Sequence, residues 1–348
     1  MPYHPARLHR AAVLLATAVL MPAAAFSGRA AAQPADNGSG SAKPIDLIVG
    51  YNAGDTYDIY SRLAARYLPR YLPGHPTIVV RNMQGVGSLK AANYLYAQGP
   101  RDGSTIGMVG QGIALDQLVK NPAVQFDARR FSWIGRMVPV IQFVVAWHTS
   151  PAKSLTDVMK EPLTIAATSS TGATGTVPRL LNRMAGTKFK MVYGYKGLSS
   201  LMLAMERGET QAATASAQML LFSRPELLGK PLVSVLVQYS KHRSELFPNV
   251  PALGEFGRTE EEKRVLQLYG STTEFGRSLL APPGVPPDRV RILRSAFDSM
   301  MKDPELLAEA KKAKLEVGAL DGEGVAKIVH ETVDVPPALA KAVADALQ

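Results

Sequence analysis

The stretch from residue 44 to residue 68 constrains the fold most, because its pattern changes from strand to helix across a short turn. Residues 45–49 form a β-rich apolar run, the pattern of a strand buried on both faces. Residues 50–56 interrupt it with Asn, Gly and Asp, and apolar residues then recur at helical spacing up to residue 68. A loop that joins a parallel strand to a helix lies at the carboxyl edge of the sheet, where open α/β folds bind ligands. The N-terminus of the helix offers free N–H groups and the positive end of the helix dipole, which favour binding of an anion. A structural turn without a ligand is the simpler alternative.

The acidic residues of this stretch can have either a structural or a chemical role. Asp55 or Thr56 is predicted to cap the helix, and Asp58 precedes Arg62 by four residues, which is a favourable ion-pair spacing. Asp55 and Asp58 also lie about one helical turn apart, and two carboxylates can do acid–base work. A capping acid and an ion-paired acid explain them more simply.

Strand and helix signals alternate along the rest of the chain, which predicts an α/β architecture. The further predicted strands are residues 76–81, 105–109, 163–167, 190–192, 211–216, 278–281 and 315–318. The predicted helices are residues 89–97, 111–119, 154–160, 178–184, 199–206, 288–301 and 304–313, and a tail from residue 322 that Pro336 and Pro337 interrupt. The apolar run 137–147 is expected to cross between two domains, which a length of 348 residues allows.

The N-terminal segment predicts export. A basic start, an apolar run over residues 11–25 and small residues at 30–32 indicate a signal peptide of residues 1–32, cleaved after Ala25 or Ala32. Residues 33–42 are rich in Gly, Ser and Asn and are predicted to be a disordered leader. No later stretch is long enough for a membrane helix, so we expect a protein free in a bacterial periplasm.

Composition excludes several kinds of chemistry. The chain has no cysteine, which excludes disulfides, thiolate metal sites, a cysteine nucleophile and a lipidated N-terminal cysteine. The histidines lack metal-ligand spacing, so no metal site is expected. Removing residues 1–32 takes away three arginines and no acids, which lowers the formal charge from +10 to +7. The basic residues are scattered, which argues against nucleic acid and is compatible with small anionic ligands.

Three turns of small residues each follow a predicted strand and precede a predicted helix, at residues 51–56, 84–88 and 168–176. Together they suggest a cleft lined by backbone N–H groups and hydroxyls, which suits a carboxylate. The candidate ligand-binding residues are Tyr51, Asn52, Ala53, Gly54, Asp55, Thr56, Gly85, Val86, Gly87, Ser88, Gln111, Ser169, Ser170, Thr171, Gly172, Thr174, Gly175, Thr176, Tyr195, Lys196 and Gly197.

Other classes of function fit the motifs less well. Gly85 and Gly87 begin a dinucleotide-like pattern, but its last position is Lys90, and no GxxxxGK[ST] occurs. GxSxG is also absent. An exported hydrolase using Ser170 or Asp58 stays an alternative, as does a ligand-sensing subunit of a membrane signalling system.

Several segments also form a recognisable series in order and spacing. They are residues 47–49 followed by 54–58 and Arg62, residues 79–82 and 85–88, and residues 100–105, 169–176, 194–197, 208–211 and 281–286. This series covers nearly all of the mature chain. It resembles the extracytoplasmic solute-binding proteins of tripartite tricarboxylate transporters, the TctC-like or Bug family.

The resemblance implies a two-lobe periplasmic binding protein fold of the type II kind. Lobe 1 is expected to comprise residues 43–140 plus 278–348, lobe 2 residues 141–277, and the ligand lies between them. The ligand is expected to be a small di-, tri- or aromatic carboxylate, held by N–H groups, hydroxyls and waters rather than by an arginine. We expect a monomer without a cofactor or enzymatic activity, whose partners are the large and small membrane subunits of a transporter.

The sequence departs from the family pattern in the first loop, where Asp55 places a negative charge near the expected anion site. Three arrangements reconcile this charge with an anionic ligand. Asp55 turns back to cap the helix that begins near Asp58, or it pairs with a base such as Arg81. Alternatively, it accepts from a ligand that carries an amino or other donor group.

Overall fold

The computed structural model describes residues 43–170 and 172–347. The predicted signal peptide, the predicted leader and Thr171 lie outside the described residues. The described strands are β1 (Ile45–Val49), β2 (Ile78–Asn82), β3 (Thr105–Met108), β4 (Ser132–Val138), β5 (Gln142–Trp147), β6 (Leu163–Ala166), β7 (Phe189–Val192), β8 (Ala212–Ser216), β9 (Val233–Gln238), β10 (Arg277–Ala281) and β11 (Leu320–Asp321). The described helices are α1 (Thr56–Tyr67), α2 (Leu89–Ala97), α3 (Ile113–Leu118), α4 (Leu155–Lys160), α5 (Ala173–Ala185), α6 (Leu198–Glu206), α7 (Glu226–Gly229), α8 (Glu260–Phe275), α9 (Pro287–Met300), α10 (Pro304–Lys312), α11 (Gly322–Val333) and α12 (Pro337–Leu347).

The strands form two mixed sheets. The first has the order β11-β4-β10-β3-β1-β2, and the second has the order β7-β6-β8-β5-β9. In the first sheet β1 is parallel to β2 and β3, whereas β10 is antiparallel to β3 and β4. In the second sheet β6 is parallel to β7 and β8, and β5 is antiparallel to β8 and β9. The fold is therefore α/β with two sheets, as predicted.

Each sheet is buried on both faces. Along β1, Leu47 and Val49 pack into one apolar cluster and Ile48 packs into another. Along β5, Val144 and Val145 divide between two further clusters in the same way. Neighbouring side chains of a strand point to opposite faces, so continuous apolar runs produce two apolar layers per sheet.

The chain passes from the first sheet to the second through residues 139–141, between β4 and β5, and returns through Gly276 before β10. The run 137–147 thus crosses between the sheets, as its sequence predicted. Gly276 has φ 53°, and a Cβ there would lie 2.0 Å from the carbonyl oxygen of Val138. Because no side chain fits, glycine is required where the chain returns.

The C-terminal helix joins the layer of the second sheet. α12 packs against α5 and α8, and its residues Val343 and Ala346 are buried in the cluster that also contains Val265. Among the described residues, no helix combines the length and the apolar character that crossing a membrane requires.

Two local predictions were wrong. The helix predicted at residues 178–184 begins five residues earlier, at Ala173, so Thr174, Gly175 and Thr176 are helical rather than part of a loop. Pro178 is the sixth residue of α5 and lies in its second turn, where it has no N–H to donate to Thr174. The strand predicted at residues 315–318 is irregular, and the pairing with β4 occurs instead at β11. β9 and α8 were not predicted, although the β-branched run of residues 233–238 and the capping box of Thr259 and Glu262 are local signals for them.

Candidate functional site

A polar cavity of about 300 Å³ lies where the first loop, the crossing segment and the return segment meet. This central cavity is lined by Tyr51, Thr56, Tyr57, Tyr60, Gln111, Pro139, Val140, Ile141, Gln142, Leu198, Ser216, Gln218, Arg277 and Glu316. The lining comes from elements of both sheets. Its volume is at the lower end of the range for small-molecule sites, so it suits a small ligand.

Arg277 is fixed against one wall of the central cavity. Its Nη2 donates to Oγ1 of Thr56 at 2.7 Å. Its guanidinium carbon lies 5.2 Å from the ring centroid of Tyr57 and 4.8 Å from that of Tyr60. Tyr51 in turn stacks on Tyr57 with a centroid distance of 4.2 Å. Cation–π contacts and the hydroxyl therefore hold the guanidinium in one position, and both rings come from α1.

The tyrosine hydroxyls of this wall are engaged with the backbone. The Tyr57 hydroxyl accepts from the backbone N–H of Gln111 at 3.2 Å, and the Tyr60 hydroxyl donates to the carbonyl oxygen of Glu316 at 2.7 Å. Burial raises the pKa of Tyr57, although Arg277 opposes the shift, and it raises the pKa of Tyr60 to about 12. Both hydroxyls are therefore neutral at physiological pH and act through hydrogen bonds.

Two buried polar atoms of the cavity lining have no hydrogen-bond partner among the described residues, and one carboxylate of the lining has no ion-pair partner there. Arg277 has no carboxylate within ion-pair distance, and its Nε is buried without a hydrogen bond. Oε1 of Gln111 is likewise buried without a donor. Glu316 is only 9% exposed, and the Tyr60 hydroxyl donates to its backbone oxygen rather than to its carboxylate. Unpaired buried polar groups are costly, so their convergence on one cavity indicates a ligand site.

Burial and two nearby cations act in opposite directions on the pKa of Glu316. Burial raises the pKa of its carboxyl, and the nearby cations Arg277 and Arg136 act in the opposite direction. Arg136 itself is engaged elsewhere, since it donates to the carbonyl oxygens of Glu274 at 2.5 Å and Gly318 at 3.2 Å. Glu316 therefore lies close to two cations without forming a hydrogen bond to either.

The first loop is held by a buried aspartate. Asp58, which is 2% exposed, accepts from the backbone N–H of Gly54 at 2.9 Å, from Arg62 Nε at 2.8 Å and from Asn82 Nδ2 at 2.9 Å. Asn82 also donates to the carbonyl oxygen of Tyr51 at 3.0 Å. Burial alone would raise the pKa of Asp58, but these hydrogen bonds outweigh it and hold the pKa at about 2. The predicted pair of Asp58 and Arg62 is confirmed.

Asp55 does not line the central cavity. It is exposed and precedes α1, but its side chain makes no capping bond to that helix. Instead its Oδ2 accepts from the backbone N–H of Asn52 at 3.2 Å, which closes the turn. Arg81 pairs with Asp46 at 2.8 Å rather than with Asp55.

The second predicted loop, residues 84–88, has positive φ at residues 85–88. Ser88 Oγ accepts from the backbone N–H of Gly110 at 2.9 Å. A Cβ at Gly50 would lie 1.8 Å from that oxygen, and a Cβ at Gly110 would lie 2.6 Å from the Tyr51 hydroxyl oxygen. Glycine is therefore needed at both strand ends to bring the two loops together.

Of the predicted site residues, Tyr51, Thr56 and Gln111 line the central cavity. The structure places the other described ones outside this lining. Ser169 Oγ accepts from Gly172 N–H at 3.0 Å, and Thr174 Oγ1 accepts from Thr168 N–H at 3.0 Å, so these hydroxyls organise their own turn. The described predicted residues outside the lining are Asn52, Ala53, Gly54, Asp55, Gly85, Val86, Gly87, Ser88, Ser169, Ser170, Gly172, Thr174, Gly175, Thr176, Tyr195, Lys196 and Gly197.

Sequence reasoning missed most of the lining. Tyr57 and Tyr60 look like ordinary residues of an amphipathic helix, and Glu316 lies in a segment predicted as a strand. Arg277 carried a usable signal, because it is a lone charge between Phe275-Gly276 and the apolar strand 278–281. The other missed lining residues are Pro139, Val140, Ile141, Gln142, Leu198, Ser216 and Gln218.

A second cavity of about 780 Å³ shares Pro139, Ile141 and Glu316 with the central cavity. It contains Arg136, whose guanidinium is already bonded to backbone carbonyls. The central cavity is therefore the stronger candidate for an anion, because Arg277 makes no comparable bonds to acceptor oxygens beyond the Thr56 hydroxyl.

Two α/β sheets with crossing segments and a polar cavity lined from both define the two-lobe fold of periplasmic binding proteins. The chain belongs to the tripartite tricarboxylate transporter family receptors (TctC), whose family model matches residues 62–344. That match begins inside α1, so the first loop precedes it.

Individual relatives agree with this assignment. The chain is 26% identical over 298 residues to a UPF0065 protein of Cupriavidus necator, covering 84% of each chain. A TctC solute-binding protein from Polaromonas, solved without a ligand, has a TM-score of 0.66 and 18% identity, covering 86% of this chain and 99% of the other. An R. palustris protein with adipate has a TM-score of 0.60 and 19% identity, covering 88% of this chain and 97% of the other. At these identities the structural likenesses show the fold.

Proposed function

We propose that this protein is a periplasmic solute-binding receptor that holds a small carboxylate in the central cavity. The observation that carries the proposal is Arg277, a partly buried guanidinium that lines the cavity without a carboxylate partner among the described residues. A guanidinium binds a carboxylate through charge-assisted hydrogen bonds, which are stronger than neutral ones. The bound adipate of the R. palustris protein supports the same ligand class.

This proposal changes the expected mode of binding. Backbone N–H groups, hydroxyls and waters were expected to hold the carboxylate without an arginine. In the central cavity Arg277 supplies the positive charge, and Thr56 is positioned by it. Because Thr56 Oγ1 accepts from Arg277, its own hydroxyl hydrogen is available for a ligand oxygen.

The proposed cellular role combines the family and the N-terminal sequence. The family description supports delivery of the ligand to the large and small membrane subunits of a tripartite tricarboxylate-type transporter. The basic and apolar start of the chain supports export to the periplasm. The proposed receptor works as a monomer, without a cofactor and without catalysing a reaction.

The proposed lobes comprise residues 43–140 plus 278–348 and residues 141–277. The sheets support this division, because the chain changes sheet at residues 139–141 and again at Gly276. α12 (Pro337–Leu347) departs from this division, because it packs against α5 and α8 of the proposed second lobe. In this arrangement the ligand lies beside both crossing segments, where lobe closure would enclose it.

The hydrolase alternative is less well supported. The pKa of about 2 at Asp58 makes this carboxylate a poor general base at neutral pH, and its oxygens are already occupied by three donors. Ser170 is exposed and lies outside the central cavity. Neither residue has the environment of an activated catalytic group.

The proposal is tested by calorimetry with mono-, di- and tricarboxylates on the wild type and on Arg277→Gln. We expect at least one carboxylate to bind the wild type, and its affinity to fall by about 2 kcal/mol or more, roughly 30-fold, in the variant. Arg243→Gln is the matched control, because Arg243 is exposed and paired with Glu255 at 2.7 Å. Unchanged affinity in a folded Arg277→Gln protein would show that the carboxylate binds elsewhere.

A further inference from the structure

We propose that the ligand of the central cavity is a carboxylate that also carries a protonated amine. Its carboxylate binds Arg277 and Thr56, and its ammonium group binds Glu316 and Oε1 of Gln111. This inference rests on the proposed function and specifies the ligand class of the same site.

The cavity lining carries both signs of charge. Arg277 and Glu316 line the same space, yet they do not form an ion pair with each other, and neither has another charged partner within ion-pair distance among the described residues. The cavity therefore has a cationic group, the Arg277 guanidinium, and an anionic group, the Glu316 carboxylate. A ligand with a carboxylate and an ammonium group matches both protein groups at once, and it replaces water lost from both protein charges.

The unpaired acceptors of the cavity lining favour an ammonium group over a hydroxyl. The Gln111 backbone N–H binds the Tyr57 hydroxyl, and the side-chain Oε1 of Gln111 is buried without a donor. The Glu316 carboxylate adds two further acceptor oxygens, and the hydrogen bond from Tyr60 goes to the Glu316 backbone oxygen instead. An ammonium group has three donors and satisfies several acceptors at once, whereas a hydroxyl has one.

A plain dicarboxylate fits the same lining less well. Its second carboxylate would face the Glu316 carboxylate, and like charges repel strongly where water is partly excluded. Glu316 would first have to take up a proton. Asp55 was one expected acceptor for a ligand amine, but Asp55 lies outside the cavity lining, and this proposal assigns the acceptor role to Glu316, 261 residues further along the chain.

The test uses isosteric ligand pairs that differ in one terminal group. 3-Aminopropanoate and butyrate form one pair, and 4-aminobutyrate and pentanoate form another, while succinate and glutarate supply the second carboxylate. Calorimetry on the wild type is expected to show that the amine-bearing member of at least one pair binds tenfold or more tighter than its methyl analogue and than the dicarboxylates.

Glu316→Gln is the decisive variant, because it keeps the shape and removes the charge. We expect it to abolish the preference for the amine while affinity for the fatty acids and dicarboxylates stays equal or rises. Glu331→Gln is the matched control, since Glu331 lines only the second cavity. If Glu316→Gln does not fold, Gln111→Met removes the second acceptor and is expected to weaken the same preference at least threefold.

The outcomes separate the two proposals. A wild type that prefers dicarboxylates or fatty acids, or a folded Glu316→Gln protein that still prefers the amine, overturns the amine assignment and leaves a carboxylate receptor. A wild type that binds no carboxylate at all overturns the proposed function as well.

Discussion

Replacing Asp58 by Asn removes the charge that holds the first loop. Asp58 Oδ2 accepts from both Gly54 N–H and Arg62 Nε, and Oδ1 accepts from Asn82 Nδ2. In either orientation of the new amide, its NH₂ group faces a donor. Rotating the Asn82 amide would not repair this, because its Nδ2 also donates to the Tyr51 carbonyl. The variant therefore loses at least one buried hydrogen bond as well as the charge.

The magnitude follows from the pKa of Asp58. Its value falls from the ordinary 3.8 to about 2, and each pKa unit corresponds to about 1.4 kcal/mol. The ionised side chain thus contributes about 2 kcal/mol to the free energy of unfolding at neutral pH. Because the folded pKa is depressed, this contribution is complete above the ordinary pKa and is lost as pH falls through the folded one. Roughly half of it remains at about pH 3.

Urea denaturation of both proteins at several pH values measures this directly. We expect Asp58→Asn to lower the free energy of unfolding by about 2 kcal/mol at pH 7, and the difference to shrink towards pH 3. Asp55→Asn is the control, because Asp55 is exposed and accepts only the Asn52 N–H at 3.2 Å. A loss at pH 7 no larger than in this control, or a difference independent of pH, would refute the reasoning.

Two further predictions concern the stability of the free protein. Glu316→Gln should raise the free energy of unfolding at pH 7, because burial raises the pKa of Glu316 and folding therefore disfavours its ionised form. This gain should fade as the pH drops towards the ordinary pKa of 4.5. A variant that is less stable than the wild type in urea titrations at pH 7 would contradict the prediction. Gly110→Ala should cost about 1 to 3 kcal/mol in the same assay, because its Cβ would lie 2.6 Å from the Tyr51 hydroxyl oxygen. Gly112→Ala, whose nearest neighbour would be Asp116 Oδ2 at 3.7 Å, is the control, and equal costs would refute the packing argument.

The sequence by itself determined the local elements and the family. The apolar run of β1, the helical spacing of α1 and the pair of Asp58 and Arg62 are all properties of neighbours in the chain, and each is confirmed. The series of short motifs identified the family, which the match over residues 62–344 confirms. These features could be predicted from the sequence because the side-chain periods of strands and helices, and the i,i+4 spacing of ion pairs, involve residues only a few positions apart.

Only the tertiary structure decided which side chains form the central cavity. Arg277 reaches the rings of α1 because β10 enters the first sheet between β3 and β4, more than two hundred residues after α1. Glu316 comes to the same cavity from an irregular segment that carries no periodic signal. The small residues of the three turns predicted loops with free N–H groups. Which groups those N–H groups bind depends on how distant strands pair, and the local sequence does not specify that pairing. Sequence distance therefore concealed the one arginine and the one glutamate that give the cavity its opposite charges.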